Sequence, residues 1–463
     1  MKDKKFITNI GLSIIAQGIS LLVSFVMNLI LPKFISEIQY AYWQTYLLYV
    51  GYVGILHFGI LDGIILRYSK FDYEELDKKT IRSQFIVMTI IESVFCAILV
   101  LIAVSFFDNE SKWVFAFVAI GILMRNTFNY TAYLFQMTNR IKHYAKMIIL
   151  YRLFYGIVTS VLLAFGVCDF YFYCILDLCS DLFAILTMMR HNKGLYFGSI
   201  PALSDVRLET KRNIKAGIML MGANWSAFLL TGAARVIVQL HWDQMQFGKI
   251  SFSFSIANLF LTFVSAISVV VFPTLKRVEE NGLSDIYVML RNKMSPLLLC
   301  ILLCYYPGCA VLRIWIPAYN DSLLYLGILL PMIVYSSKVS LLTNNYFKVL
   351  REEKKLLGIN VVSVCLAIVL FTTSAFVFDN LMLLVMCIVI VLMTQSIVSE
   401  IFIMKYLKIY IGFKMFFNEI IMTGVFILSA TCFSPNVGLL VYLFAVIIFL
   451  ATKKAKKLCE RKR

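Results

Sequence analysis

Apolar stretches of about twenty residues follow one another from Ile10 to Leu450, separated by short polar breaks. A helix of that length crosses roughly 30 Å of hydrocarbon with its backbone hydrogen bonds closed inside the segment. The pattern predicts spans at 10–31, 42–64, 84–106, 113–136, 148–167, 170–189, 214–240, 249–272, 294–312, 323–345, 358–378, 381–403, 414–432 and 437–452. The expected fold is an all-α polytopic membrane protein of about fourteen transmembrane helices. The breaks are too short for a folded soluble domain, so any chemistry happens within the helical bundle or at its mouths. That points to transport.

Internal repetition suggests how the spans are grouped. The longest basic break, from Arg190 to Lys215, contains Gly194, Gly198 and Pro201 and separates six spans from those after it. YLFQMTNRIKHYAK (Tyr133–Lys146) closes the fourth span and YFKVLREEKK (Tyr346–Lys355) closes the tenth, and aligning the two tyrosines sets Arg125 on Lys338. Likewise Asn9-Ile10 opens the first span and Asn213-Ile214 the seventh. We therefore expect an amino-terminal six-helix lobe (1–190), a linker (191–213), a second six-helix lobe (214–404), and two additional helices with a basic tail (405–463). Paired lobes of this kind enclose a midplane site between halves.

Composition agrees, since 61% hydrophobic and 15% charged residues in 463 positions leave too much apolar surface for soluble cores to hide. The net charge of +17 is read by location. With the amino terminus inside, the inner breaks take the lysines and arginines of 2–5, 67–82, 140–146, 190–215, 276–293, 348–355, 405–414 and 453–463. The outer breaks hold essentially Lys33, Lys112, Lys249 and Arg313, a bias of about eight to one that places both termini in the cytoplasm. Basic loops so placed face anionic lipid headgroups, and no nucleic-acid partner is needed to explain them. The cysteines, such as Cys96, Cys174, Cys179, Cys365 and Cys387, lie in apolar spans without metal-ligand spacing and read as small buried hydrophobes. The opening Met-Lys-Asp-Lys-Lys precedes a segment of full spanning length without a small-residue cleavage site, so it reads as the first crossing rather than a signal peptide.

Charged residues at membrane depth are few: Asp62, Glu92, Arg125, Arg152, Asp177, Asp181, Arg235, Lys338 and Glu400. Each is expensive there unless it faces a cavity or a partner. Arg125, Arg235 and Lys338 suit a cationic cavity for a phosphate-bearing substrate, because arginine forks match phosphate oxygens and lysine supplies a point charge. The competing reading pairs these cations with Asp177, Asp181 and Glu92 to lock helices together. Arg152, near a span end, is a secondary candidate that also fits snorkelling. Asp177 and Asp181 share a helix face at i, i+4 and fit either a coupling-ion site or, preferably, the counter-ions of a buried arginine; Glu92 and Asp62 face the same choice. His57, beside Gly59 and Asp62, suits a proton sensor or a plain hydrogen-bonded histidine. Trp43, Trp113, Trp242 and Trp315 fit interface anchors. No nucleophile triad, Walker loop, zinc spacing or dinucleotide fingerprint occurs, so neither an enzyme, a metal nor a cofactor is expected, and direct ATP-driven pumping is disfavoured.

Three segments carry a family resemblance: FGILDGIILRYSK (Phe58–Lys70), TNRIKHYAK (Thr138–Lys146), and above all GAARVIVQLHWDQMQFGKISFSFSIANLFLTFVSAISVVVFPTLKR (Gly232–Arg277). With the fourteen-span plan, they resemble bacterial polysaccharide exporters of the Wzx type, within the multidrug, oligosaccharidyl-lipid and polysaccharide exporter (MOP) superfamily. The resemblance extends over nearly the whole chain. It implies a flippase that carries an undecaprenyl-pyrophosphate-linked oligosaccharide repeat unit across the bacterial cytoplasmic membrane by alternating access, for capsule, O-antigen or exopolysaccharide, with a polysaccharide polymerase and other assembly proteins as partners. The family's arginine in span seven falls on Arg235, and where many relatives carry an acidic residue before it this chain has Ala234. Rival readings are a cation-coupled drug antiporter or a lipid II flippase of the same superfamily, and, from another class, a membrane-embedded polymerase or ligase.

Overall fold

The computed structural model describes residues 2–107, 109–138, 140–190, 192–276, 280–409 and 414–461, and every regular element among them is helical. Of the basic residues assigned to inner breaks, Arg277, Lys462 and Arg463 lie outside the described residues. So do the side chains of Lys2, Lys4, Lys5, Lys276, Lys414 and of the tail from Lys454 onward, and those of the Asn9-Ile10 repeat signal.

The chain forms two compact units, Met1–Trp225 and Ser226–Arg463. The first holds α1 (Lys2–Phe25), α2 (Glu37–Val50), α3 (Ile60–Tyr68), α4 (Lys78–Phe106), α5 (Asn109–Met137), α6 (Ile141–Ala164) and α7 (Phe170–Met189). Helix α8 (Leu203–His241) passes from the first unit into the second. The second continues with α9 (Gln244–Lys276), α10 (Glu280–Ile301), α11 (Tyr305–Trp315), α12 (Ser322–Leu329), α13 (Met332–Lys338) and α14 (Asn344–Val349). It ends with α15 (Glu353–Thr372), α16 (Leu381–Tyr406), α17 (Lys414–Thr431) and α18 (Pro435–Arg461). Several starts are written into the sequence: Ser36 caps α2, Asp77 caps α4 by accepting from the amides of Lys79 and Thr80, and Asn380 caps α16.

Nine helices among the described residues are long and apolar enough to span a bilayer, and eleven if each of two bent pairs is one span. Helices α5, α9 and the shorter α17 occupy the three remaining expected stretches, so a helix stands at each of the fourteen. The outer face of α4 shows why the surroundings must be lipid. It exposes Ile90, Val94, Leu101 and Phe106 in one apolar strip that water would drive to aggregate, whereas the rod running from Ser322 to Val349 is buried almost throughout. The protein is an integral membrane protein of helical bundles.

In the first unit, helices α2 and α3 form a broken span, bent by 59° through the tight turn Val53–His57, with Phe58 and Gly59 in the left-handed region at φ 48° and 77°. Helix α3 then presses its backbone on α8. A Cβ on Gly63 would lie 2.0 Å from the Asn213 carbonyl oxygen, and one on Gly217 would lie 2.0 Å from that of Gly59. Small residues permit this contact as they do between membrane helices generally.

At one end of the first unit the polar breaks are tied together. Arg67 pairs with Glu209 and Asn213, Arg82 donates to the carbonyls of Gly194 and Ser199, and Arg140 donates to Asn192 at 2.7 Å. The stretch 191–213 is correspondingly ordered in its described residues, with a short helix at Lys193–Tyr196 and α8 already running from Leu203.

Candidate functional site

In the first unit the centre of α5 carries Arg125, whose guanidinium reaches α7. It donates to Asp177 at 2.6 Å and to Asp181 at 3.2 Å, one turn apart on the same face. Asp177 also accepts from the hydroxyls of Tyr46 on α2 at 2.8 Å and Tyr151 on α6 at 2.9 Å. Four helices are thus joined through one carboxylate. Both aspartates are buried, while a fifth of the Arg125 side chain stays exposed. Apolar packing alone would not tolerate such polarity within these helices; opposite charges at close range do, because their attraction and hydrogen bonds offset the cost of leaving water.

The second unit holds a larger cluster. Lys338, at the end of α13 where the backbone widens into a π turn over Val339–Thr343, inserts its amino group between Glu400 on α16 and Glu419 on α17, 2.5 Å from the latter. Arg291 on α10 pairs with the same two carboxylates, lying 3.4 Å from Glu419, and Ser295 donates to Glu419 at 2.7 Å. The Arg291 guanidinium carbon stands 4.7 Å over the Phe416 ring centre. All four charged side chains are buried and their formal charges cancel. A phosphate could reach Lys338 here only by displacing a carboxylate.

Hydropathy does not single out two members of this cluster. Arg291 falls among the inner-loop charges before the expected span beginning at 294, yet α10 starts at Glu280 and buries it completely. The sequence signal is a stripe at three- and four-residue spacing, Leu283, Tyr287, Arg291, Ser295, Leu298 and Leu302, all buried. Glu419 lies on a matching stripe of α17 with Phe416, Met422, Thr423 and Phe426.

The other candidates are placed separately. Arg235 on α8, half-buried, bonds the Ser251 hydroxyl at 3.1 Å and lies over the rings of Phe247 and Phe254 at 5.5 and 6.0 Å. Ala234 beside it is fully buried. Arg152 sits over the Tyr151 ring at 5.1 Å. His57 is buried in the broken span, accepts the Gly59 amide on Nδ1 at 3.1 Å and stands 3.8 Å from Asp62. Glu92 is buried within α4. Among the described residues no three His, Cys, Asp or Glu side chains gather as a metal site.

No family model and no curated protein matches this chain. Solved structures do match in fold. The lipid II flippase MurJ, in its inward closed conformation, is similar with a TM-score of 0.69 over 96% of this chain and 99% of its own, at 12% identity. An inward-facing multidrug resistance MATE family transporter of the MOP superfamily gives 0.60 over 84% of this chain and 98% of its own, at 11% identity. A MOP superfamily transporter from Pyrococcus furiosus, described by the reverse polarity of its binding pocket, gives 0.51 over 86% and 95%, at 13% identity. The fold is that of MOP superfamily flippases and transporters, which are not enzymes.

Proposed function

We propose that this protein is a flippase that moves an undecaprenyl-pyrophosphate-linked oligosaccharide repeat unit across the bacterial cytoplasmic membrane by alternating access, supplying surface polysaccharide synthesis. The observation that carries this reading is the end-to-end likeness to a lipid II flippase, 96% of this chain on 99% of that one. The Wzx-type segments, above all Gly232–Arg277, favour an oligosaccharide repeat unit over lipid II as cargo. The basic breaks would face the cytoplasm, with both termini inside.

The pyrophosphate would be met by Arg235, held half-buried over two aromatic rings. Lys338, Arg291, Glu400 and Glu419 would hold the second unit rigid while it moves. A headgroup of several negative charges enters a membrane only where fixed cations replace its water. The sugars would occupy a polar cavity and the prenyl chain would stay in lipid, so translocation needs no covalent step.

Reconstituted vesicles loaded with a polyprenyl-pyrophosphate oligosaccharide test this reading. Wild-type protein should carry the glycolipid to the far leaflet, and Arg235→Ala should reduce the rate at least tenfold with normal protein content. Equal rates in protein-free vesicles would sink it.

A further inference from the structure

Glu92 lies within α4 with its residue fully buried, and neither carboxyl oxygen accepts a hydrogen bond. Asn126 on α5 reaches toward it without closing a bond of normal geometry. The Asn126 amide nitrogen instead donates to the Val53 carbonyl at 3.1 Å, and its own oxygen Oδ1 also receives no donor. Three buried oxygen atoms therefore stand without a proton to accept.

Four of the other deep carboxylates are paired with cations, and Asp62 has a histidine nearby. Asp177 and Asp181 have Arg125, Glu400 and Glu419 have Lys338 and Arg291, and Asp62 lies 3.8 Å from His57. Among the described residues, the elements packed on α4 bring Glu92 no cation. Helix α5 offers Arg125, which is held by the two aspartates; the Val53–His57 turn offers His57, 3.8 Å from Asp62; α3 offers Arg67, which pairs with Glu209; and α8, bonded to Gln84 of α4, offers Arg212, which pairs with Glu209, and the exposed Lys211 and Lys215. The short helix Lys193–Tyr196 packs further along α4, where Tyr196 meets the Phe85 ring at 5.2 Å. A carboxylate with no cation and no hydrogen bond of normal geometry at such a place neutralises itself by taking up a proton, and as an acid it has an O–H to give to an acceptor.

We propose that Glu92 is a proton-carrying carboxyl: a neutral acid in this conformation, which releases its proton to water when the neighbouring broken span moves. The Phe58 ring packs 5.8 Å from that of Phe95, one turn along α4 from Glu92, so the left-handed break at Phe58–Gly59 is mechanically next to the acid. Breaks of this kind are where rigid helices hinge. An ionised Glu92 needs water, and a shift of the adjoining Val53–Gly59 segment would admit it. Proton release and movement of this segment are thereby one event. Use of that event in transport rests on the flippase reading; the protonation itself does not.

The test is infrared spectroscopy of the full chain in lipid nanodiscs, with Glu92→Gln identifying the band. At neutral pH the wild type should show a protonated-carboxyl C=O stretch that E92Q lacks, while E92Q matches wild type in abundance and melting temperature, since a neutral amide replaces a neutral acid. In vesicles E92Q should lose the dependence of flux on a pH gradient. Identical neutral-pH spectra for the two proteins, loss of the band on adding sodium at constant pH, or a marked fall in E92Q abundance would each overturn the proposal. The spectrum requires no substrate, so its failure is distinct from failure of the flippase reading.

Discussion

Lys338 and Glu400 repeat in the second unit the relationship that Arg125 and Asp181 have in the first. In each, a cation pairs with a carboxylate two expected spans further along the chain, from α5 to α7 and from α13 to α16. The pairs differ in balance: the first has one cation for two carboxylates, the second two for two. Both join helices within one unit, where a lone buried charge costs more than a matched pair.

Breaking the second cluster at one point should be worse than removing a balanced pair. Glu400→Gln leaves Lys338 and Arg291 sharing one carboxylate, and we expect a loss of about 3–5 kcal/mol, seen as low yield and a lowered melting temperature of the detergent-purified protein. Lys338→Met combined with Glu400→Met removes one charge of each sign and keeps Arg291 with Glu419, 3.4 Å apart. The double variant should be more stable than Glu400→Gln alone.

In the first unit, Asp177→Asn with Asp181→Asn should lower folded protein in the membrane, because Arg125 loses both counter-ions and Asp177 also anchors two tyrosine hydroxyls. Membrane fractions probed for the protein read this directly. Normal abundance with flux that no longer responds to an ion gradient would make the aspartates a coupling site instead.

The contact of α3 on α8 predicts sharp glycine sensitivity. Gly217→Ala and Gly63→Ala each place a methyl 2.0 Å from a carbonyl oxygen across the contact, so the helices must part. Either change should lower the melting temperature by several degrees, whereas Gly18→Ala, with nothing within 4 Å, should not.

How far these features are legible in the chain depends on hydropathy itself. Span positions are legible because twenty apolar residues in a row have few other uses, and the Arg125–Lys338 correspondence comes from two aligned tyrosines. The i, i+4 spacing of Asp177 and Asp181 already suits a shared cation. Arg291 and Glu419 stay hidden: a span edge drawn by hydropathy excludes a charged residue even when the helix runs on and buries it, and a charge within a span carries no mark of its partner. Partners far apart in sequence, such as Tyr46 with Asp177, leave no local pattern at all.

Arg235 and Lys338 are held differently, and the flippase reading gives them different roles. Arg235 bonds a serine and lies over two aromatic rings within its unit, whereas Lys338 neutralises two buried carboxylates. Arg235→Ala should therefore keep abundance near wild type while cutting export, whereas Lys338→Ala should cut abundance first. Quantifying surface polysaccharide against membrane protein level for both variants distinguishes the two roles.

The cargo is tested most directly by deleting the gene and identifying, by mass spectrometry, the lipid-linked intermediate that accumulates. A polyprenyl-pyrophosphate oligosaccharide repeat unit, building up and disappearing when the gene is restored, is the predicted result; accumulation of lipid II instead, or no lipid-linked glycan at all, would contradict the account.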